Sequence, residues 1–298
     1  MQDQTPPRVG RAALWMTGAI ISFSAMAVAG RAVSFALDTF EIMMYRSGLG
    51  VLIILVFLGV TRGFHQINRR GLKLQFSRNL AHFIGQNLWF FAITVIPLAQ
   101  VFALEFTSPL WVVVLAPLLL GERLTPLRAL SAAIGFIGIL VVARPSPDTL
   151  NLGVFAAAAA AVFFALTTLF TKRLTRDHSV ANIMFWLTSI QLVLGMITAG
   201  ADGDIALPDA STLPWLLVIA LAGLIAHSCV ANALSIAPAT VVVPLDFVRL
   251  PAIAVIGMVL YGEPLDIWVL VGAVIIFAGN YLNITSETRG PRPSRRAA

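Results

Sequence analysis

Residues 97–124 read PLAQVFALEFTSPLWVVVLAPLLLGERL, and 141 positions later residues 238–265 read PATVVVPLDFVRLPAIAVIGMVLYGEPL. Pro97, Leu104, Phe106, Gly121, Glu122 and Leu124 recur as Pro238, Leu245, Phe247, Gly262, Glu263 and Leu265, while Glu105 falls on Asp246. The register runs on without a gap on both sides: Arg31 falls on Lys172, Ile42-Met43 on Ile183-Met184, Tyr45 on Trp186 and Gly138 on Gly279. A fixed shift this long means two copies of one structural unit, so the fold of one half dictates the fold of the other.

What one half is made of follows from its polarity. Hydrophobic residues make up 58% of the 298-residue chain and charged residues 11%, with a mean hydropathy of +0.89. That balance excludes an ordinary soluble core and points to an all-α integral membrane protein with the lipid bilayer as its surroundings. With about 20 apolar residues needed per crossing, ten spans are expected at 12–30, 40–60, 80–96, 99–120, 127–142, 154–170, 183–199, 215–233, 239–261 and 267–284. The first follows Arg8 and Arg11 directly and lacks a cleavage motif, so it reads as a membrane helix rather than a signal peptide. The lone cysteine, Cys229, lies in an apolar run and reads as core packing.

Loop charges then orient the chain. Arg62, Arg69, Arg70, Lys73 and Arg78 precede the third span, and Lys172, Arg173 and Arg176 follow the sixth. The two ends of the chain and the 123–128 connection add eight more basic residues on the same side, against Arg31 and Arg144 on the other. Cytoplasmic termini satisfy that asymmetry, and membrane orientation accounts for the net charge of +6 better than nucleic acid does. Five spans per half is odd, so the second half crosses in the opposite sense. The charges agree: basic loop 61–77 maps onto 202–218, which holds Asp202, Asp204 and Asp209 and no Lys or Arg. Inverted repeats of this kind are the build of secondary transporters.

Each half also carries one acid inside a span. A charged group at a helix centre costs about 2.5 to 3.5 kcal/mol, against about 0.3 to 0.6 returned by each Leu or Val, so Glu105 and Asp246 need partners or water. Both are expected about 10 Å deep from opposite faces of a core about 30 Å thick, near the midplane. Arg249 shares a helix face with Asp246, which leaves two readings open: an intrahelical ion pair that neutralises both, or a guanidinium offered to a substrate carboxylate. Pro109 and Pro251 remove the N–H groups that would bond the carbonyls of Glu105 and Phe247, and together with Pro244 they are the expected hinges.

Polar stripes extend the candidate site. His82, Gln86 and Trp89 share one face of the third span, with His227 and Asn232 on the eighth and Trp111 about 120° around from Glu105. A second stripe, Asn182, Trp186 and Ser189, lies on the seventh; interhelical hydrogen bonding is the ordinary use of both. Arg46 is expected to snorkel outward or to pair with Asp38 or Glu41, and Glu122 and Glu263 to bond loops at the interface. No GxxxxGK[ST], HExxH, CxxC pair or nucleophile elbow occurs, so ATP-driven transport within this chain, an enzyme, a metal or a cofactor is not expected.

The segment FAITVIPLAQVFALEFTSPLWVVVLAPLLLGERLTPLRALSAAIGFIGI, with Arg46 in MMYRSG and a partner copy carrying PLDFVRLP and YGEPL, resembles the EamA-type repeat of the drug/metabolite transporter superfamily. The resemblance implies two inverted five-helix repeats, at 12–142 and 153–284, followed by a basic cytoplasmic tail at 285–298. It further implies a central cavity and a multi-pass protein of the bacterial inner membrane that exports small metabolites. On this reading the chain moves amino acids, aromatic ones first, by alternating access. A single chain holding both repeats is expected to work as a monomer. Exporters of cationic drugs, and a membrane scaffold or enzyme without transport, are the alternatives.

Overall fold

A computed structural model describes residues 9–120, 126–144, 151–201, 203–237, 242, 245–246 and 249–288. These form eleven α-helices joined by short connections, with no strand among the described residues. The first half contains α1 (Val9–Val33), α2 (Thr39–Val60), α3 (Leu72–Val95), α4 (Leu98–Glu105), α5 (Ser108–Leu120) and α6 (Pro126–Ala143), with a 3₁₀ turn at Gly63–Gln66. The second contains α7 (Leu152–Leu174), α8 (Val180–Ala199), α9 (Leu213–Ile236), α10 (Arg249–Tyr261) and α11 (Ile267–Thr288).

Among the described residues six stretches are long and apolar enough to cross a membrane, against the ten spans expected: Gly10–Val33, Thr39–Val60, Leu98–Leu115, Leu152–Leu174, Val180–Ala199 and Leu213–Ile236. Three shorter apolar helices, Ala129–Ala143, Ala252–Tyr261 and Ile267–Gly279, accompany them. Helix α3 is 24 residues long, yet is not among the six. It buries Gln75, Arg78, Asn79, His82, Gln86 and Asn87, and these polar side chains lower its hydropathy. It also starts eight residues before the expected span, which takes Lys73 and Arg78 out of the loop and into the helix. Likewise Lys172 and Arg173 belong to the last turn of α7, and α11 runs four residues, 285–288, into the expected tail.

Corresponding helices pack on one another in opposite directions. Along α2 and α8, Met44 meets Gly195 and Gly50 meets Thr188, while Ile54 and Leu58 share a cluster with Ile183, Met184 and Leu187. Along α6 and α11, Gly138 lies against Gly272 and Gly135 against Gly279. The other two pairings exchange into each other: α1 runs antiparallel along α9, from Gly18 at Cys229 to Met26 at Gly223, and α3 along α7, from Arg78 at Thr171 to Val95 at Gly153. Shifting every residue by 141 turns the first of these pairs into the second, so the packing obeys the symmetry of the sequence.

Polar bolts at the two ends obey it too. The first turn of α8 holds the α2–α3 loop, with Asn182 Oδ1 accepting from Asn68 N at 3.0 Å and Trp186 Nε1 donating to Asn68 O at 2.9 Å. At the other end Glu41, 141 residues before Asn182, accepts from Ala206 N, and Tyr45, 141 before Trp186, donates from its hydroxyl to Ala206 O at 2.8 Å. Glu41 also closes a capping box with Asp38, which accepts from Phe40 N and Glu41 N at the start of α2. The Asn182–Trp186 stripe is therefore used to tie the two halves together.

Candidate functional site

The fourth expected span is broken at its acid. Helix α4 ends at Glu105, α5 begins at Ser108, and Thr107 closes the gap by donating from N and Oγ1 to Leu104 O at 3.1 and 2.7 Å. Pro109 sits in the first turn of α5, where a missing N–H costs nothing. Pro251 is the third residue of α10 (Arg249–Tyr261); residues 247–248 just before that helix lie outside the described residues. Pro244 lies outside the described residues.

At this break the two halves meet through Arg249. Its Nη2 donates to Asp246 Oδ2 at 2.6 Å and, across the repeat boundary, to Glu105 Oε1 at 2.8 Å. The other Glu105 oxygen accepts from Trp89 Nε1 at 2.8 Å. Three rings surround the guanidinium, those of Phe23, Phe102 and Phe106, at 4.8, 4.9 and 5.3 Å, so cation–π attraction adds to the ion pairs. Both readings of Arg249 from sequence are thereby narrowed: it pairs with Asp246 as neighbours on one helix do, and with Glu105 as well. It is 3% exposed, with Nη2 held by both acids and Nε left without a partner. Two acids on one base leave the cluster with a surplus carboxylate oxygen, Asp246 Oδ1, that is buried without a partner.

A cavity of about 180 Å³ runs from this cluster toward the end of the molecule where α1 begins. That is room for several waters by the usual requirement of about 10 to 15 Å³ each. His82, Gln86, Trp89, Glu105, His227, Asp246 and Arg249, all singled out from sequence, line it, as does Pro109. His82 and His227 face each other with ring centres 4.5 Å apart, His227 resting edge-on against Phe23 at 5.3 Å. Neither nitrogen of His82, nor Nε2 of His227, nor Oε1 of Gln86 has a protein partner. Buried polar atoms are nearly always hydrogen-bonded, so this row of unsatisfied groups has the chemistry of a ligand or water site.

Two expected residues fall elsewhere. Asn232 lies five residues from His227, about 140° around α9, and gives its amide to Ser228 O at 2.8 Å. Trp111 stays off the cavity wall even with the helix broken at Phe106, because the chain resumes as α5 with Ser108 and Pro109 facing inward. Conversely, Phe23 of α1, Phe164 and Thr171 of α7, and Arg78 of α3 belong to the wall and were not picked out. Arg78 precedes His82 by four residues, so the polar stripe of α3 extends one turn beyond His82. The two Phe carry no such signal in helices that are apolar throughout.

The opposite end of the cavity is shut. Arg31, at the end of α1 rather than in a loop, donates to Ile93 O and Ile96 O and pairs with Glu263, which also accepts from Leu98 N at 2.9 Å. Tyr261 OH donates to Val28 O at 3.1 Å beside them. This latch joins α1, the α3–α4 corner and the α10–α11 connection. Its repeat counterpart is half visible: Lys172 Nζ donates to Leu234 O at 3.3 Å, 141 residues on from the Arg31–Ile93 contact. Glu122 lies outside the described residues. Arg46, expected to snorkel or to pair with Asp38 or Glu41, is instead buried and donates to Gln191 Oε1 at 3.2 Å. Those two acids are engaged in the cap and the α8–α9 loop.

Comparison with known proteins follows the same lines. Over 294 residues, 96% of this chain and 97% of the relative, the sequence is 28% identical to a riboflavin transporter of Vibrio cholerae. A riboflavin transporter of Brucella anthropi is 32% identical over 200 residues, 66% of this chain and 70% of its own. An S-adenosylmethionine uptake transporter of Rickettsia felis is 24% identical over 92% of each chain. A crystal structure at 18% identity shares the fold with a TM-score of 0.67, over 93% of this chain and 98% of that one. The model of the EamA-like transporter family matches residues 10–144 and again 151–285. With both halves matched, this chain belongs to the EamA-like transporter family, a group of membrane-embedded small-molecule transporters.

Proposed function

We propose that this chain is a secondary carrier that moves a small metabolite bearing a flat ring across the bacterial inner membrane by alternating access between its two halves. The observation that carries the reading is the cavity itself. It lies between the repeats, is walled by Trp89, Phe23, Phe106 and Phe164, and displays unpartnered polar atoms on His82, Gln86, His227 and Asp246. An apolar wall with a few convergent polar groups is what a small-molecule site requires. Aromatic amino acids remain one member of the class. The case for them drawn from a free Arg249 is weakened, because both carboxylates hold its Nη2, and the relatives' names add riboflavin and S-adenosylmethionine.

In this reading α4 and α5 make one broken crossing, and each repeat, 12–142 and 153–284, crosses five times, giving ten crossings. The antiparallel packing of α2 on α8 and α6 on α11 supports opposite insertion of the halves. The loop charges support cytoplasmic termini. One chain supplies both walls, so a monomer suffices, and export or uptake follows the gradient imposed.

Counterflow in proteoliposomes tests this. Vesicles preloaded with unlabelled riboflavin, S-adenosylmethionine or tryptophan are expected to accumulate the labelled form of at least one of them. Accumulation no greater than in protein-free vesicles for all three sinks the proposal. Phe23→Ala is expected to lower the flux about tenfold or more, as loss of a stacking wall worth about 1.4 kcal/mol does.

A further inference from the structure

The α3 side of the cavity holds a cation that no acid among the described residues neutralises. Arg78 is 2% exposed, and its Nε donates to Thr171 Oγ1 at 3.2 Å and its Nη1 to Asn79 Oδ1 at 2.8 Å. Both acceptors are neutral, Nη2 has no protein acceptor, and no acid lies within ion-pair distance among the described residues. Arg46, the other buried arginine of this half, adds positive charge nearby rather than removing it. A buried charge without a counter-charge is costly, and an intramembrane ionisable residue facing a wet cavity is retained where it meets a ligand. Arg249 shows the contrast within one molecule: it has two carboxylates and three rings, whereas Arg78 has an amide and a hydroxyl.

Geometry gives this cation a place in a larger pattern. Arg78, His82, Gln86 and Trp89 follow one another at four, four and three residues, a single helix face that descends the cavity. Eleven residues of helix rise about 16 Å. At the Trp89 end stands the Glu105–Arg249–Asp246 cluster with its surplus acid; at the other end stands the Arg78 guanidinium, with no acid beside it among the described residues. The cavity is thus polarised along its length, with ring-shaped and neutral polar surface between the poles. Arg presents a planar fork that matches carboxylate or phosphate oxygens.

We infer that Arg78 binds an anionic group, carboxylate or phosphate, on the carried molecule, and so sets the charge of what this transporter accepts. The inference rests on the carrier reading and narrows it: the ring of the ligand lies along His82 to Trp89 and its anion is directed toward the end where α1 begins.

Two ligand pairs that differ in the anion test it, with purified protein in nanodiscs and quenching of intrinsic tryptophan fluorescence as the readout. Riboflavin is compared with its 5′-phosphate, and tryptophanamide with tryptophan, the second pair read by thermal shift because its ring fluoresces. Wild type is expected to prefer the anionic member of at least one pair about ten- to a hundredfold, the range of a charge-assisted hydrogen bond. The phosphate pair and the carboxylate pair show which anion it is. Arg78→Gln is expected to abolish that preference, the anionic member losing about ten- to a hundredfold more affinity than the neutral one; Arg78→Lys is expected to keep part of it. No anionic preference in wild type overturns the inference, as does an Arg78→Gln protein that weakens both members alike. Should the glutamine variant not fold, the wild-type and lysine comparisons still decide. Anionic preference without counterflow removes the carrier reading alone, and counterflow of neutral ligands without anionic preference removes the role of Arg78 alone.

Discussion

Arg249 is fixed by ion pairs to Glu105 and Asp246 from opposite halves of the chain, with three aromatic rings packed around it. Removing one member of such a buried group strands the others, at a typical cost of about 3 to 5 kcal/mol. Arg249→Ala is therefore expected to lower the melting temperature sharply, measured by fluorescence-detected size exclusion after heating, before any effect on flux is read. Glu105→Gln keeps the Asp246 pair and should cost clearly less. The acids were legible in the sequence, because a carboxylate in an apolar run demands explanation wherever it occurs. That Arg249 answers both was not, since Glu105 lies 144 residues away and only the packing of the halves brings them together. Outside the membrane, Asp209 makes a separate case. The Ser211 hydroxyl first, then the Thr212 amide and hydroxyl, hold its carboxyl down at about 2. With the folded value below the ordinary one, the hydrogen-bonded turn before α9 is intact at and above the usual carboxylate range and is lost as pH falls from about 4 toward 2. Hydrogen exchange of the Ser211 and Thr212 amides is expected to be protected evenly from pH 5 to 8 and to lose protection in that acid window, and Asp209→Ala should lose it at every pH.

Among the helices, α3 and the α6–α11 pair show two different ways in which an element serves a site. Helix α3 trades hydropathy for a polar face, which is why its first turns read as loop and Arg78 was counted with the loop charges. Its lower half became legible only through packing on α7. The α6–α11 crossing depends on close backbone approach instead. A Cβ at Gly138 would stand 2.9 Å from Gly272 O, and one at Gly272 2.9 Å from Gly138 O, so neither side can yield by moving a side chain. Gly138→Val is expected to push the helices apart at a cost of about 1 to 3 kcal/mol or more, read as a lower melting temperature. The bolts at the two ends offer a finer test of the repeat. Tyr45→Phe and Trp186→Phe each remove one hydrogen bond to a loop carbonyl, about 1 kcal/mol apiece. Since they lie at opposite ends of α2 and α8, the double variant should equal the sum within about 0.5 kcal/mol in denaturant titrations.

At the scale of the whole molecule, one end of the cavity is latched and the other end carries the matching cation without a described acid. Arg31, Glu263, Leu98 and Tyr261 tie three segments at the latched end. Glu263→Gln is expected to weaken the tie and raise the labelling rate of a cysteine placed at Val28 in a Cys229→Ser background, with the wild-type latch protecting that position. Duplication was the most legible property of all, because a fixed shift survives divergence that leaves few identical residues. The direction in which the cavity faces was not legible, since both halves contain the parts of a closure and only their contacts distinguish the shut side from the other.

The contact of Lys172 with Leu234 reproduces, in the second copy, what Arg31 does with Ile93 in the first. If the two rims open in turn, the resting posture of the carrier is decided by the difference in strength between them. About 1.4 kcal/mol there inverts a posture ratio tenfold. On the proposed alternating-access reading, a conservative exchange at either rim resets which compartment the empty protein greets, while the inferred ladder from Arg78 to Trp89 goes on choosing the same cargo.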